Sequence, residues 1–196
     1  DIYCLGDLVG YGANPRECID LAQQHDKVTL RGNHDEAALD GDQGKDFNRK
    51  AEGALQWTRS QLFSPDQGLP DKNRRLEFLG GLAERHEATG TLFVHGSPRT
   101  PTREYVFPRD IRLKDKMQEI FAAFERFCFI GHTHVPGVFG EDATYTHPED
   151  LLGGVYILDQ GKALINVGSV GQPRDSDRRA CYCTFDGDSL VFGEST

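Results

Sequence analysis

Long apolar runs are missing from this chain. Its longest stretch free of Asp, Glu, Lys and Arg is Phe127 to Gly140, and that stretch contains two histidines. A helix that spans a membrane needs about 20 mostly apolar residues, so no membrane span is expected. Basic charge is also scarce: 22 Lys and Arg stand against 31 Asp and Glu, a formal net charge of -9. A groove that tracks a nucleic-acid backbone needs clustered Lys and Arg, so no nucleic-acid groove is expected. A small phosphate-bearing substrate stays compatible, because a bound metal reverses the local sign. The five cysteines, Cys4, Cys18, Cys128, Cys181 and Cys183, form neither a disulfide framework nor a paired Cys-x-x-Cys set. They read as reduced thiols of a cytoplasmic protein, and no signal peptide is visible. Repeats and low-complexity tracts are absent as well. The chain has no initiator Met and opens on a strand-like run, Ile2 to Leu5, which reads as a piece of a longer gene product.

What is present is an alternation of short apolar runs with helical patterns over 196 residues, enough for one domain covering residues 1–196. Ile2–Leu5, Val28–Leu30, Thr91–Val94 and Phe127–Ile130 read as buried strands. Helices are expected over Pro15–Gln24, with Asn14 as N-cap and Cys18, Leu21 and Ala22 on one face, and over Asp46–Leu62, Asn73–Leu82 and Ile111–Phe124. Ser64–Lys72 and Gly140–Gly154 read as surface loops. From Val155 onward the pattern is all β. Val155–Leu158 and Ala163–Val167 flank Asp159-Gln160-Gly161. Ala180–Phe185 and Ser189–Phe192 flank Asp186-Gly187-Asp188, a strong hairpin signal. Strand–helix alternation followed by hairpins implies an α/β (α+β) fold, two β layers flanked by helices.

Four of the strands end in the same way. Each runs into a glycine beside a side chain that can bind a metal: Leu5-Gly6-Asp7, Leu30-Arg31-Gly32-Asn33-His34-Asp35, Val94-His95-Gly96 and Ile130-Gly131-His132-Thr133-His134. In layered α/β folds, strand ends converge on one edge where ligands bind. Asp, Asn and His make a mixed oxygen and imidazole set, suited to Mn, Fe or Zn more than to Ca. A metal pair about 3.5–4 Å apart is a common device for phosphoester hydrolysis.

This Gly-Asp, Gly-Asn-His-Asp, His-Gly and Gly-His-Thr-His series resembles the calcineurin-like metallophosphoesterase superfamily, in particular its small bacterial and archaeal phosphodiesterase-type branch. The resemblance runs from Gly6 to His134 and onward. It implies a two-layer β-sandwich flanked by helices, and two divalent metal ions drawn from Mn, Fe, Zn or Ni. It also implies residue roles. Asp7 bridges the two metals; Asn33, His95 and His132 are ligands of the second metal; His134 is a ligand of the first. His34 contacts the substrate and protonates the leaving oxygen, and the nucleophile is a metal-bound hydroxide. The substrate would be a small phosphodiester, phosphomonoester or nucleotide. The alternative is a catalytically inactive scaffold or interaction module on the same fold.

Other residues were weighed beside these. The run Asn166-Val167-Gly168-Ser169-Val170-Gly171-Gln172-Pro173-Arg174 reads as a shaped loop whose N–H groups could face an anion. Arg174 is its candidate phosphate contact, against a structural salt bridge. Asp35 supports either the metal site or a helix N-cap, the two being equal readings. His25, His86 and His147 read as surface residues. Gly10 and Tyr11 stand where protein serine/threonine phosphatases of the superfamily carry Asp and Arg, which points away from phosphoprotein substrates. The Asp-x-His of the family is also missing, because only six residues precede Asp7. A further strand and helix carrying it are therefore expected upstream of Asp1, and the chain as written would hold one metal firmly.

Overall fold

The computed structural model describes residues 1–45, 47–158 and 161–195, and the side chain of Gln43 is outside that description. Two compact units divide the chain, Asp1–Arg85 and His86–Thr196.

The first unit is built on a parallel strand pair, β1 (Tyr3–Cys4) and β2 (Val28–Thr29), joined by helix α1 (Pro15–His25). Three more helices follow: α2 (Asn33–Leu39), α3 (Arg49–Phe63) and α4 (Leu69–Gly80). Helix α1 starts where expected, with Pro in its first turn. The Asn14 side chain does not cap it; instead the Asn14 carbonyl accepts from Cys18 N. Its buried face is Pro15, Ile19 and Ala22, spaced i, i+4, i+7, whereas Leu21 is 56% exposed. The expected face was therefore drawn too far round the helix. Ile19 packs with Val9, Ala37, Ala38, Leu55, Leu62, Leu79 and Leu82, and each fully buried Leu or Ile contributes about 1.5–3 kcal/mol. Helix α3 is capped by the Asn48 side chain, which accepts from Lys50 N and Ala51 N. The expected helix start at Asp46 lies outside the described residues.

Two expectations in this unit need correction. Helix α4 begins at Leu69, inside the expected Ser64–Lys72 loop, with Pro65–Gln67 forming a 3-10 turn just before it. Gly68, at φ 77°, supplies the sharp turn between them, and Pro70 sits in the first helical turn; that is a position where proline starts a helix rather than breaking one. Helix α2 was not anticipated as a helix. Its seven residues begin on Asn33, so the Gly-Asn-His-Asp motif is itself a first turn.

The second unit carries a six-stranded mixed sheet. Its strands are β3 (Arg85–Ala88), β4 (Thr91–Val94), β5 (Phe127–Ile130), β6 (Gly137–Gly140), β7 (Tyr145–Thr146) and β9 (Ala163–Asn166), in the order β3-β4-β5-β9-β6-β7. A three-stranded antiparallel sheet adds β8 (Val155–Ile157), β10 (Ala180–Phe185) and β11 (Ser189–Ser195), in the order β10-β11-β8. Helix α5 (Lys114–Ala122) covers one face of the large sheet. Its Met117, Ile120 and Phe121 cluster with Leu92, Val94, Cys128, Ile130 and Leu164. On the other face, Phe127 and Phe129 of β5 meet Phe185 of β10, with ring centroids 5.8 and 5.2 Å apart. Strand β5 is thus buried on both faces, which is why it reads as an unbroken apolar run. The fold is mixed α/β, with a central multi-stranded sheet flanked by helices, as the sequence implied.

Strands β6 and β7 fall at the margin of, or inside, the segment expected to be a loop from Gly140. The Ala180–Ser195 hairpin forms as expected, its turn closed by Asp186 N donating to Ser189 O. Strands β8 and β9 are not hairpin partners: β8 pairs with β11, and β9 lies between β5 and β6. Asp159 and Gln160 of the expected connection lie outside the described residues. No helix among the described residues is long and apolar enough to cross a membrane.

One consequence of the strand order matters for chemistry. Strands β4, β5 and β9 are parallel neighbours. Their C-terminal ends deliver His95, the Gly131–His134 run and Asn166 to the same edge of the sheet.

Candidate functional site

In the first unit the chain turns sharply after β1. Asp7 adopts a left-handed conformation, φ 54°, beside Gly6 at φ 96°. This turn lies directly against Gly32. A Cβ on Gly6 would be 2.6 Å from Gly32 N, and a Cβ on Gly32 would collide with the Asp7 carboxylate. Asp7 Oδ1 accepts from the His34 backbone N–H at 2.9 Å. Asp35, fully buried, accepts three backbone N–H groups: Asp7 N at 2.8 Å, Val9 N at 3.1 Å and Gly32 N at 2.9 Å. The N-cap of α2 is Gly32, so Asp35 is not the cap residue. It sits in the first turn of α2 and reaches back to the preceding residue, and it also holds the Asp7 turn in place.

Asn33 and His34 are buried in that same first turn. The His34 imidazole lies between Tyr11 and Phe47, with centroids 4.7 and 4.5 Å away. Gly10 presses on it from the side: a Cβ there would be 2.6 Å from His34 Nδ1, and Gly10 has φ 140°. The missing Asp of the protein-phosphatase pattern has a geometric counterpart, since the His34 side chain occupies the space that a Cβ on residue 10 would need. The Gly10 carbonyl is in turn held by Thr58 Oγ1 of α3, which donates at 3.2 Å.

In the second unit His95 and His132 are buried side by side, with His95 Nε2 and His132 Nδ1 3.0 Å apart. His132 Nε2 lies 3.2 Å from the Arg103 carbonyl. A carbonyl can only accept, so His132 Nε2 carries the proton and Nδ1 is left with its lone pair. The same logic applies to His134, whose Nδ1 lies 2.6 Å from the Gln172 carbonyl; its Nε2 keeps the lone pair. Tyr105 stacks on His132 at 3.8 Å, and Phe107 stacks in turn on Tyr105 at 5.5 Å. Both His132 and His134 are left-handed, at φ 61° and 60°. Non-glycine residues in strained conformations concentrate at functional sites.

These donors fit a divalent metal. A histidine that ligates a metal gives its other N–H to a carbonyl or carboxylate, which fixes the tautomer and turns the ring. His132 and His134 both do so. The first unit offers a carboxylate and a neutral amide oxygen, Asp7 and Asn33, at a turn that its own fold holds in place.

The Gly168–Arg174 loop is built for a different task from the one its sequence suggested. Its N–H groups turn inward: Gly168 N donates to Asn166 Oδ1, and Gly171 N and Gln172 N both donate to Ser169 Oγ. Arg174 N donates to the His134 carbonyl, while Gln172 O takes the His134 proton. The loop therefore grips His134 by two bonds. The Arg174 guanidinium donates to Gln172 Oε1 at 2.9 Å from an exposed position. His25 is exposed; His86 and His147 are half-buried, His86 against Phe93 and His147 accepting from Glu149 N.

Sequence reasoning missed the supporting residues: Asn166, Thr133, Tyr105 and the Arg103 carbonyl. The one signal available was an Asn at a strand end, ahead of a Gly-rich loop.

Comparison with known proteins agrees with this picture. Residues 1–189 match the calcineurin-like phosphoesterase superfamily domain. An uncharacterised protein of Methanocaldococcus jannaschii is 36% identical over 190 residues, covering 94% of this chain and 70% of that protein. A solved metallophosphoesterase from Sphaerobacter thermophilus has a TM-score of 0.80 and 37% identity, over 100% of this chain and 77% of that one. A hypothetical protein from Pyrococcus horikoshii, at TM-score 0.70 and 18% identity over 98% of this chain and 73% of its own, shares the fold. The match over residues 1–189 and the likeness to the Sphaerobacter enzyme carry one conclusion: the chain belongs to the calcineurin-like phosphoesterase superfamily, whose members bind divalent metals.

Proposed function

We propose that this protein hydrolyses a small phosphoester, a phosphodiester in preference to a phosphoprotein, with the help of divalent metal ions. The observation that carries this reading is the series of motif side chains from Asp7 to His134 within a superfamily match over residues 1–189. In this reading Asp7, Asn33, His95 and His132 hold one metal, and Asp7 and His134 contribute to the other. Metals bound there lower the pKa of water toward neutrality and stabilise charge on the phosphoryl oxygens. Manganese suits the oxygen and imidazole set.

The chain's own residues supply the rest. Asp7 is held ready by the three backbone bonds of Asp35 and by its own bond from His34 N. The neutral Asn33 oxygen adds no negative charge, leaving the centre attractive to a phosphate anion. His34, aligned by Tyr11, Phe47 and Gly10, carries a proton to the leaving oxygen; an imidazole titrates near working pH, as a general acid requires. In this reading Arg174 serves as an auxiliary phosphate contact. Gly10 and Tyr11 in place of Asp and Arg support small diester or nucleotide substrates. Five free cysteines fit a reducing, cytoplasmic setting.

The test is hydrolysis of bis(p-nitrophenyl) phosphate with and without Mn²⁺, beside a phosphopeptide. Metal-dependent turnover that favours the diester is expected. A kcat/KM higher for the phosphopeptide by about tenfold, or 1.4 kcal/mol, would overturn the substrate assignment. Absence of turnover with bound metal would favour a scaffold.

A further inference from the structure

Within the second unit one buried side chain has no part in the chemistry above, yet its bonds go to the loop that carries His132 and His134 and to the loop that grips His134. Asn166 ends strand β9 and is fully buried. Its amide nitrogen donates to the Gly131 carbonyl at 2.7 Å and to Thr133 Oγ1 at 2.8 Å. Its oxygen accepts from Gly168 N at 3.0 Å. Gly131 and Thr133 flank His132, and Thr133 separates it from His134. Gly168 begins the loop whose Gln172 carbonyl takes the His134 proton.

The segment that Asn166 holds is under strain. Thr133 N donates to the Gly131 carbonyl at 2.7 Å, an i to i+2 bond, with His132 at its centre at φ 61°. That is the rare, strained form of γ-turn. A single backbone bond is a weak restraint on such a turn, because one hydrogen bond contributes only about 0.5–1.5 kcal/mol net. Asn166 gives the Gly131 carbonyl a second donor and ties the next residue through its hydroxyl. Gly131 N is fixed separately by donating to the His95 carbonyl at 2.9 Å. The amide is also the side chain that this spot requires: the loops present two acceptors and one donor, and only an Asn or Gln head answers all three.

We propose that Asn166 is a positioning residue that holds His132 and His134 where the Arg103 and Gln172 carbonyls fix their tautomers and directions, through the γ-turn on one side and the Gly168 loop on the other. The proposal rests on the reading of those two histidines as metal ligands, and its primary readout needs neither metal nor activity. In the metal-free wild-type protein, ¹⁵N-detected imidazole NMR is expected to find His132 protonated at Nε2 and His134 at Nδ1.

Two variants test the dependence. Asn166→Asp keeps shape but sets a carboxylate oxygen against the Gly131 carbonyl. Thr133→Val removes one partner and is the milder change, which decides the matter if the first variant does not fold. Both are expected to mix the His132 tautomers. Mn²⁺ titration by calorimetry is expected to show affinity weakened about 10–100-fold by Asn166→Asp, as for other residues that orient metal ligands, and about 2–10-fold by Thr133→Val. A role confined to stability would lower the melting temperature while leaving tautomers and affinity of the folded variants as in the wild type. That result would overturn the proposal.

Discussion

The two units hold their site loops with different side chains, and the difference follows from what each loop presents. In the first unit the turn at Asp7 exposes only donors, Asp7 N, Val9 N and Gly32 N, and a carboxylate, Asp35, accepts all three. In the second unit the turn at His132 presents two acceptors and one donor, and a neutral amide, Asn166, answers them. Both loops contain non-glycine residues in left-handed conformations, Asp7 in one and His132 with His134 in the other, each costing about 1–2 kcal/mol. A buried charge is tolerated in the first unit because three N–H groups solvate it. The clamp in each case is chosen by the polar inventory of the backbone it closes on, with the strain as the feature the two share.

If proton delivery belongs to the first unit and the ring-nitrogen ligands to the second, lesions in the two should separate turnover from metal content. The largest such effect is expected for His34→Ala: kcat falling by about 10²–10⁴-fold on an alkyl phosphodiester, with Mn²⁺ stoichiometry unchanged by elemental analysis. Loss of metal along with activity would erase the division of labour. Gly10→Ala comes next. Its Cβ would enter at φ 140° and 2.6 Å from His34 Nδ1. Displacing a catalytic group by about 1 Å costs about 10²-fold, so kcat should fall by that order while metal affinity holds. Gly10→Asp should likewise fail to raise phosphopeptide hydrolysis.

Exchanging a clamp for its isostere sharpens the comparison further. Asp35→Asn turns one acceptor into a donor facing Val9 N, and should lower unfolding stability by about 1–3 kcal/mol, read by urea titration. A neutral result would mean that the carboxylate is not what the loop requires. The smallest effect is expected away from either clamp. Arg75, donating to Asp20, holds the Asp20 carboxyl below its usual range. A depressed carboxylate pKa adds stability above the unfolded value and loses it as pH falls through the folded one. Asp20→Asn should therefore cost under about 1 kcal/mol at neutral pH, as for exposed pairs, and the difference from wild type should shrink as acidification protonates the Asp20 carboxylate.

The motif series that shows the family was legible because it is local. Four strand ends, each with glycine beside Asp, Asn or His, are visible in windows of two to six residues. The strands β4 and β5 and the helices α1, α3 and α5 were legible for the same reason, as periodic or continuous apolar runs. The clamps were not, because two of the three bonds of each are remote in sequence, spanning 26 and 28 residues for Asp35 and 33 and 35 for Asn166. Strand β6 escaped notice because a glycine stands at each end, and its pairing with β9 is decided by the sheet. Helix α4 was placed late because Pro70 reads as a breaker until Gly68 before it is seen to turn the chain. The Gly168–Arg174 run has the composition of an anion nest, and only its hydrogen bonds reveal that its N–H groups face inward.

The central claim is the proposal that the motif side chains Asp7, Asn33, His95 and His132 are metal ligands. Anomalous diffraction at the manganese edge, from crystals of the protein grown with Mn²⁺, tests it most directly. The account predicts a manganese peak whose ligands include the Asp7 carboxylate, His95 and His132 Nδ1. Manganese held by the histidines alone, with Asp7 outside its coordination shell, would contradict it.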